Sequence, residues 1–178
     1  MNKAAIVKET QLAFNAMSKI GSEMEAATFF FKPLNKWSVA EQVQHLILSI
    51  NKTALAYRLP LFIVKLVGGK PMPTPADFNE LQKRYTEKIE EGAKASKPYI
   101  PKNAATQCSQ EKLIEIWQRD STKYLTALQK CRTEKSLDQY AIKHPLLGKI
   151  SLRELCYFTI FHTQHHIQSI QQITATTV

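Results

Sequence analysis

The final quarter of the chain limits the possible folds more than any other stretch. Ser151-Leu152-Arg153-Glu154 has the S-x-x-E form of a capping box, and an apolar-periodic run follows from Leu152 to Ile173. In such a box the serine hydroxyl takes the N3 amide while the glutamate reaches back to the cap amide. Two of the donors that every helix start leaves open are thereby satisfied. The spacing predicts one long helix, which must bury an apolar face against other elements.

The rest of the chain offers further helices. Only five glycines occur in 178 residues, and turn signals are widely spaced, which favours a few long helices over many short strands. Ile6, Ala13, Met17 and Ile20 share one face of a first helix ending near Gly21, and residues 23–31 can add a further turn or two. A second capping box, Ser38 to Glu41 with Trp37 in front, opens helix two. Its dry stripe is Val39, Val43, Leu46, Ile47, Ile50 and Ala54, and it should end before Pro60. Residues 60–74, with Gly68-Gly69 and Pro71-Met72-Pro73, read as a connection long enough to cover something.

Thr74-Pro75 reads as the cap and first position of helix three, which carries Phe78, Leu81, Tyr85 and Ile89 to about Gly92. Ser109 caps helix four, where Leu113, Ile116, Trp117, Tyr124 and Leu128 share a face that Asp120 interrupts. Residues 133–148 read as a loop and 174–178 as a frayed end. The expected fold is all-α: a four-helix bundle of long helices with an additional short helical segment, in a single domain covering residues 1–178.

The formal net charge is +9, yet the lysines and arginines are scattered without a run of four. They read as a solvated basic surface, with no nucleic-acid partner expected. Cys108, Cys131 and Cys156 are odd in number and form no CxxC, so they read as reduced thiols in a cytoplasmic protein. The N-terminus breaks its apolar residues with charge, unlike a signal peptide, and Leu59 to Val67 is too short to span a bilayer. No membrane partner is expected.

Three of the five histidines fall within five residues of the last helix, at His162, His165 and His166. At about 100° per residue, His166 lies roughly 10° and His162 roughly 50° from the middle of the inner face, whereas His165 lies roughly 110° away. The inward pair is therefore four residues apart and could reach one divalent ion, or it could be two hydrogen-bonded core histidines. His45 on helix two is the leading candidate for a third ligand. It lies roughly 150° round from that helix's dry stripe. This placement fits both the polar mouth of a pocket and an exposed surface position. His144, followed by Pro145, reads as a turn element.

Three neutral imidazoles would leave coordination positions open, as catalytic zinc sites do. Two carboxylates are candidates for a supporting or base role. Glu41 stands one turn before His45, although it also completes the Ser38 box. Asp120 sits on a dry face, where a carboxylate needs a partner. There is no P-loop, GxGxxG, GxSxG or HExxH to suggest other chemistry.

Trp37-Ser38-Val39-Ala40-Glu41-Gln42-Val43-Gln44-His45-Leu46 resembles the W-S-x-x-E-x-x-x-H-L motif of the DinB-like family of metal-binding bundles. His144-Pro145-x-x-Gly148-x-x-Ser151 and Phe161-His162-x-x-x-His166 are similar to that family's lead-in and closing motifs. The resemblance implies a three-histidine site for zinc or nickel at His45, His162 and His166. It also implies a thiol-dependent S-transferase that uses a low-molecular-weight thiol on small electrophiles, or a related isomerase, and frequent homodimers. Lysines near the pocket would suit the carboxylates of such a thiol. Metal-dependent hydrolysis with Asp120 or Glu41 as base, and non-catalytic binding of a metal or small molecule, are the alternatives.

Overall fold

In the structure, a computed structural model describing residues 1–69, 71, 74–102 and 108–176, both capping boxes close. The Glu41 amide donates to Ser38 Oγ (3.1 Å) and the Ser38 amide to Glu41 Oε2 (2.8 Å). The Glu154 amide donates to Ser151 Oγ (3.1 Å) and the Ser151 amide to Glu154 Oε2 (2.6 Å). In chain order the helices are α1 (Lys3–Glu23), α2 (Ala26–Phe30), α3 (Val39–Arg58), α4 (Leu61–Gly68), α5 (Phe78–Glu90), α6 (Gln110–Cys131), α7 (Glu134–Gln139) and α8 (Leu152–Thr176). Among the described residues a 3-10 turn spans Lys97–Tyr99, and two short strands, β1 (Ala141–His144) and β2 (Gly148–Ser151), precede α8.

The long helices α1, α3, α6 and α8 form the bundle. Helices α1 and α3 each pack on both α6 and α8, and α5 lies against α8 from outside. The all-α reading and the four-helix core hold. The core is aromatic where α1 meets α6: Phe14 stands edge-on to Trp117 (5.1 Å between centroids) and Tyr124 (5.5 Å). Trp117 Nε1 donates to the Phe14 carbonyl (3.3 Å) and to Ser18 Oγ (3.1 Å), so this buried indole leaves no donor unpaired. Among the described residues no single helix is long and apolar enough to cross a membrane.

Three stretches depart from the sequence reading. Residues 61–68 are helix α4 rather than loop, bent 115° from α3. Pro60 serves as its N-cap, where a missing amide costs nothing, and its carbonyl accepts from Ile63 and Val64. Gly68 ends this helix directly on β1: a Cβ there would stand 1.6 Å from the Ala141 carbonyl oxygen, so the glycine reflects close packing. Lys70, Met72 and Pro73 of the expected connection lie outside the described residues.

Helix α5 is capped by Asp77, whose Oδ1 accepts from the Glu80 amide (2.9 Å), and not by Thr74 with Pro75 first. The Ala76 amide is already bound to Glu154 Oε1 (2.9 Å), which ties the preceding segment to α8 and delays the helix start. Residues 133–148 hold α7 and a hairpin rather than a loop. Thr133 and Ser136 form the cap of α7, and β1 pairs antiparallel with β2 from Ala141↔Ser151 to His144↔Gly148. Gly148, at φ 72°, closes the turn. The last helix continues to Thr176 instead of fraying at Thr174, and residues 177–178 lie outside the described ones. Cys108 and Cys156 are free thiols, while the Cys131 side chain is outside the described set.

Candidate metal centre

Helix α3 is buried on two sides. Its apolar stripe faces α6, and Gln42, His45, Ser49 and Thr53, spaced three and four apart, form a second, polar stripe that is also buried. This explains why His45, far round from the apolar stripe, is only 6% exposed. Across from it, α8 brings His162 and His166 inward at 4% and 8% exposure, while His165 is exposed at the flank.

The three buried rings form a near-equilateral group. Their centroids lie 5.0 Å (His45–His162), 5.0 Å (His45–His166) and 4.9 Å (His162–His166) apart. One ligand nitrogen from each can be chosen so that all lie within 4.8 Å of one another, a set that could hold a metal ion.

Hydrogen bonds on the far side of two rings select the nitrogen that faces inward. His45 Nδ1 lies 2.7 Å from the Tyr99 carbonyl oxygen, which can only accept, so Nδ1–H donates and Nε2 keeps its lone pair. Gln42 Nε2 donates to the Trp37 carbonyl (3.5 Å), leaving Oε1 to accept from His166 Nδ1–H (2.9 Å). His166 Nε2 is thus free as well. His45 Nε2 stands 3.1 Å from His162 Nε2. Two nitrogens bound tetrahedrally to zinc would be roughly 3.3 Å apart, given Zn–N bonds of about 2.0–2.1 Å. The donors therefore fit such an ion in type, His45 and His166 in tautomer, and the His45–His162 pair in separation.

Electrostatics favour neutral rings. Burial holds the pKa values of His162 and His166 well below the ordinary histidine range, and the charges that neighbouring imidazoles would carry add to the effect. His45 is lowered by burial, partly opposed by its bond to Tyr99. Neutral rings keep the lone pairs that a cation needs.

The triad opens on a cavity of about 240 Å³ whose wall includes Trp37, Tyr85, Tyr99 and Phe158. Phe158 stacks on His162 (4.7 Å, 20°), and Trp37 lies 4.9 Å from His45. His144 borders the cavity and is a turn element as its sequence suggested: its Nδ1 accepts from the Leu146 and Leu147 amides, both at 3.2 Å. Burial lowers its pKa to about 4.

Neither candidate carboxylate lines this cavity. Glu41 is held in the Ser38 box and by Lys32 Nζ (2.6 Å). Asp120, 3% exposed, accepts from Asn51 (2.8 Å), Arg119 (2.8 Å) and Lys123 (3.2 Å). Burial alone would raise the Asp120 pKa, but these donors outweigh it and hold the group at about 2. Sequence reading missed Gln42 and Tyr99. Gln42 carried a signal, standing three residues before His45 on the same face. Tyr99 carried none, because it contributes only its main-chain carbonyl.

The family model described as the DinB superfamily matches residues 10–170. No curated protein and no solved structure matches the chain.

Proposed function

Since the chain belongs to the DinB superfamily, we propose that it is a divalent-metal-dependent enzyme whose ligands are His45, His162 and His166. The observation that carries this reading is the pair of outward Nδ1 bonds, to Tyr99 and Gln42, that leave the Nε2 lone pairs of His45 and His166 unprotonated within a cluster of three buried imidazoles. Zinc or nickel suits an all-imidazole set. An ion bound there would lower the pKa of a thiol and hold it as the thiolate.

The reaction proposed is thiol-dependent S-transfer to a small electrophile. The thiol releases its proton to solvent, its sulfur forms the new bond to the electrophilic carbon, and the leaving group departs with its bonding pair. The chain's own part is positional: Tyr99 and Gln42 fix two imidazoles, and Trp37, Tyr85 and Phe158 wall the cavity against bulk water. Transfer is preferred to hydrolysis because no aspartate or glutamate lines the cavity among the described residues, so a carboxylate base is not at hand.

The test is protein purified without chelator, assayed for bound metal, then mixed with glutathione and a chlorinated dinitrobenzene. Bound metal with thiol-dependent turnover supports the reading. Turnover that needs no thiol makes it a hydrolase, and metal without turnover makes it a binding protein. A homodimer forms part of the proposal, supported by the exposed Phe62, Leu66 and Val67 on α4. Phe62→Asp should move a dimer to the monomer volume on size exclusion.

A further inference from the structure

Three lysines reach the rim of the histidine cavity from three separate parts of the chain: Lys52 from α3, Lys94 from the segment after α5, and Lys143 from β1. None is in an ion pair among the described residues, and no acidic side chain lines the same wall. Lys52 Nζ lies 5.5 Å from the centre of the Tyr99 ring, which keeps it against the cavity edge. Three like charges around one opening repel each other, and nothing in the wall offsets them. An oxyanion bound between them would do so.

Helix geometry separates this cluster from the triad. His45, Ser49, Lys52 and Thr53 share one face of α3 and all line the cavity. Lys52 is two turns beyond His45, roughly 10 Å along the axis. The backbone attachment of Lys52 is therefore set well along α3 from that of His45, with Ser49 on the same face between them.

We infer that Lys52, Lys94 and Lys143 form an oxyanion subsite, distinct from the histidine triad, that holds the carboxylate or phosphate head of an elongated substrate. The opposite end of that substrate reaches the histidines along the Ser49 face of α3. The subsite stands on the lysines alone. The orientation of the substrate rests on the metal reading given above.

Calorimetric titration of the full chain in about 150 mM salt, with metal loaded and after chelator treatment, tests this directly. The probes are adipate, its uncharged diamide, and phenyl phosphate. The charged probes should bind in both states and the diamide should not, and the tighter charged probe names the oxyanion. Lys52→Gln, Lys94→Gln and Lys143→Gln should each weaken binding about fivefold or more, the effect of losing one partly solvated charge contact. Lys149→Gln should leave it unchanged, since Lys149 faces Lys143 across the hairpin but does not line the cavity.

Equal binding of adipate and the diamide, or wild-type affinity in all three lysine variants, overturns the subsite. So does binding that needs the metal and disappears in His162→Ala, because the carboxylate would then be sitting on the ion. A chain that retains no metal yet binds adipate through its lysines would sink the metal reading and leave the subsite standing.

Discussion

Helices α3 and α8 meet around two buried polar clusters, and the two are built to opposite ends. Near the C-terminus of α3, Tyr57 Oη lies 3.2 Å from Tyr124 Oη and 3.1 Å from Cys156 Sγ, and Cys156 Sγ donates to the Leu152 carbonyl at 3.2 Å. All three side chains are fully buried, and none lines the cavity. Near the N-terminus of the same helix, His45 joins His162 and His166 with ring nitrogens turned toward one another and a cavity beyond. The first cluster spends its polar atoms on itself. The second ties the outer nitrogens of His45 and His166 to Tyr99 and Gln42, and its inner nitrogens meet only other imidazoles beside an open cavity. Burial of polar groups thus says little about function until their free lone pairs are counted.

The comparison breaks most visibly at His162. Changing it to alanine should abolish metal retention, measured on purified protein, because His45 and His166 alone, one from each helix, leave the ion a ligand short. The Tyr57–Cys156 cluster should be untouched, so near-ultraviolet circular dichroism should stay native. Loss of the folded signal together with the metal would show that the two clusters are not independent.

A smaller effect is expected at Gln42. Gln42→Ala removes the acceptor of His166 Nδ1–H without touching any proposed ligand atom. Metal affinity, measured by competition with a chelator, should fall about 10–100-fold. An unchanged affinity would mean that packing alone orients His166.

At the sealed end the expected changes are in stability only. Tyr57→Phe leaves Tyr124 Oη and Cys156 Sγ short of a partner and should cost about 1–2 kcal/mol in urea melts, with metal content unchanged. Alkali probes the same cluster. Burial pushes the Cys156 thiol up to about 12 and raises Tyr57 and Tyr124 as well. From about pH 9 the unfolded thiol gives up its proton while the folded one keeps it, so stability should fall as pH rises from 9 toward 12. Cys156→Ala should flatten part of that fall. A melt with no slope between pH 9 and 11 would contradict the burial of this thiol.

How much of this the chain announces depends on whether the cause is local. Ser38 with Glu41 and Ser151 with Glu154 are read correctly because a capping box is closed by its own four residues. The inward choice of His162 and His166 over His165 also follows from helix pitch alone. His45 does not, since its burial comes from the packing of α8 against a polar stripe of α3, which no property of α3 by itself reveals. Residues 60–68 mislead for a similar reason. Pro60 and Gly68 look like loop signals, but one starts α4 and the other lets it touch β1. Asp120 announced a need for partners, and Asn51, Arg119 and Lys123 meet it, two of them from its own helix.

The bond from His45 to residue 99 has a consequence for how this site tolerates change. Because the acceptor is the main-chain carbonyl, any side chain except one that redirects the backbone can stand at position 99 and leave His45 oriented. A one-residue deletion between 93 and 98 would instead pull that carbonyl out of register. The orientation of His45 should therefore be indifferent to which side chain stands at position 99 and sensitive to length, so that an insertion or deletion between residues 93 and 98 disturbs the ring where a substitution at 99 does not.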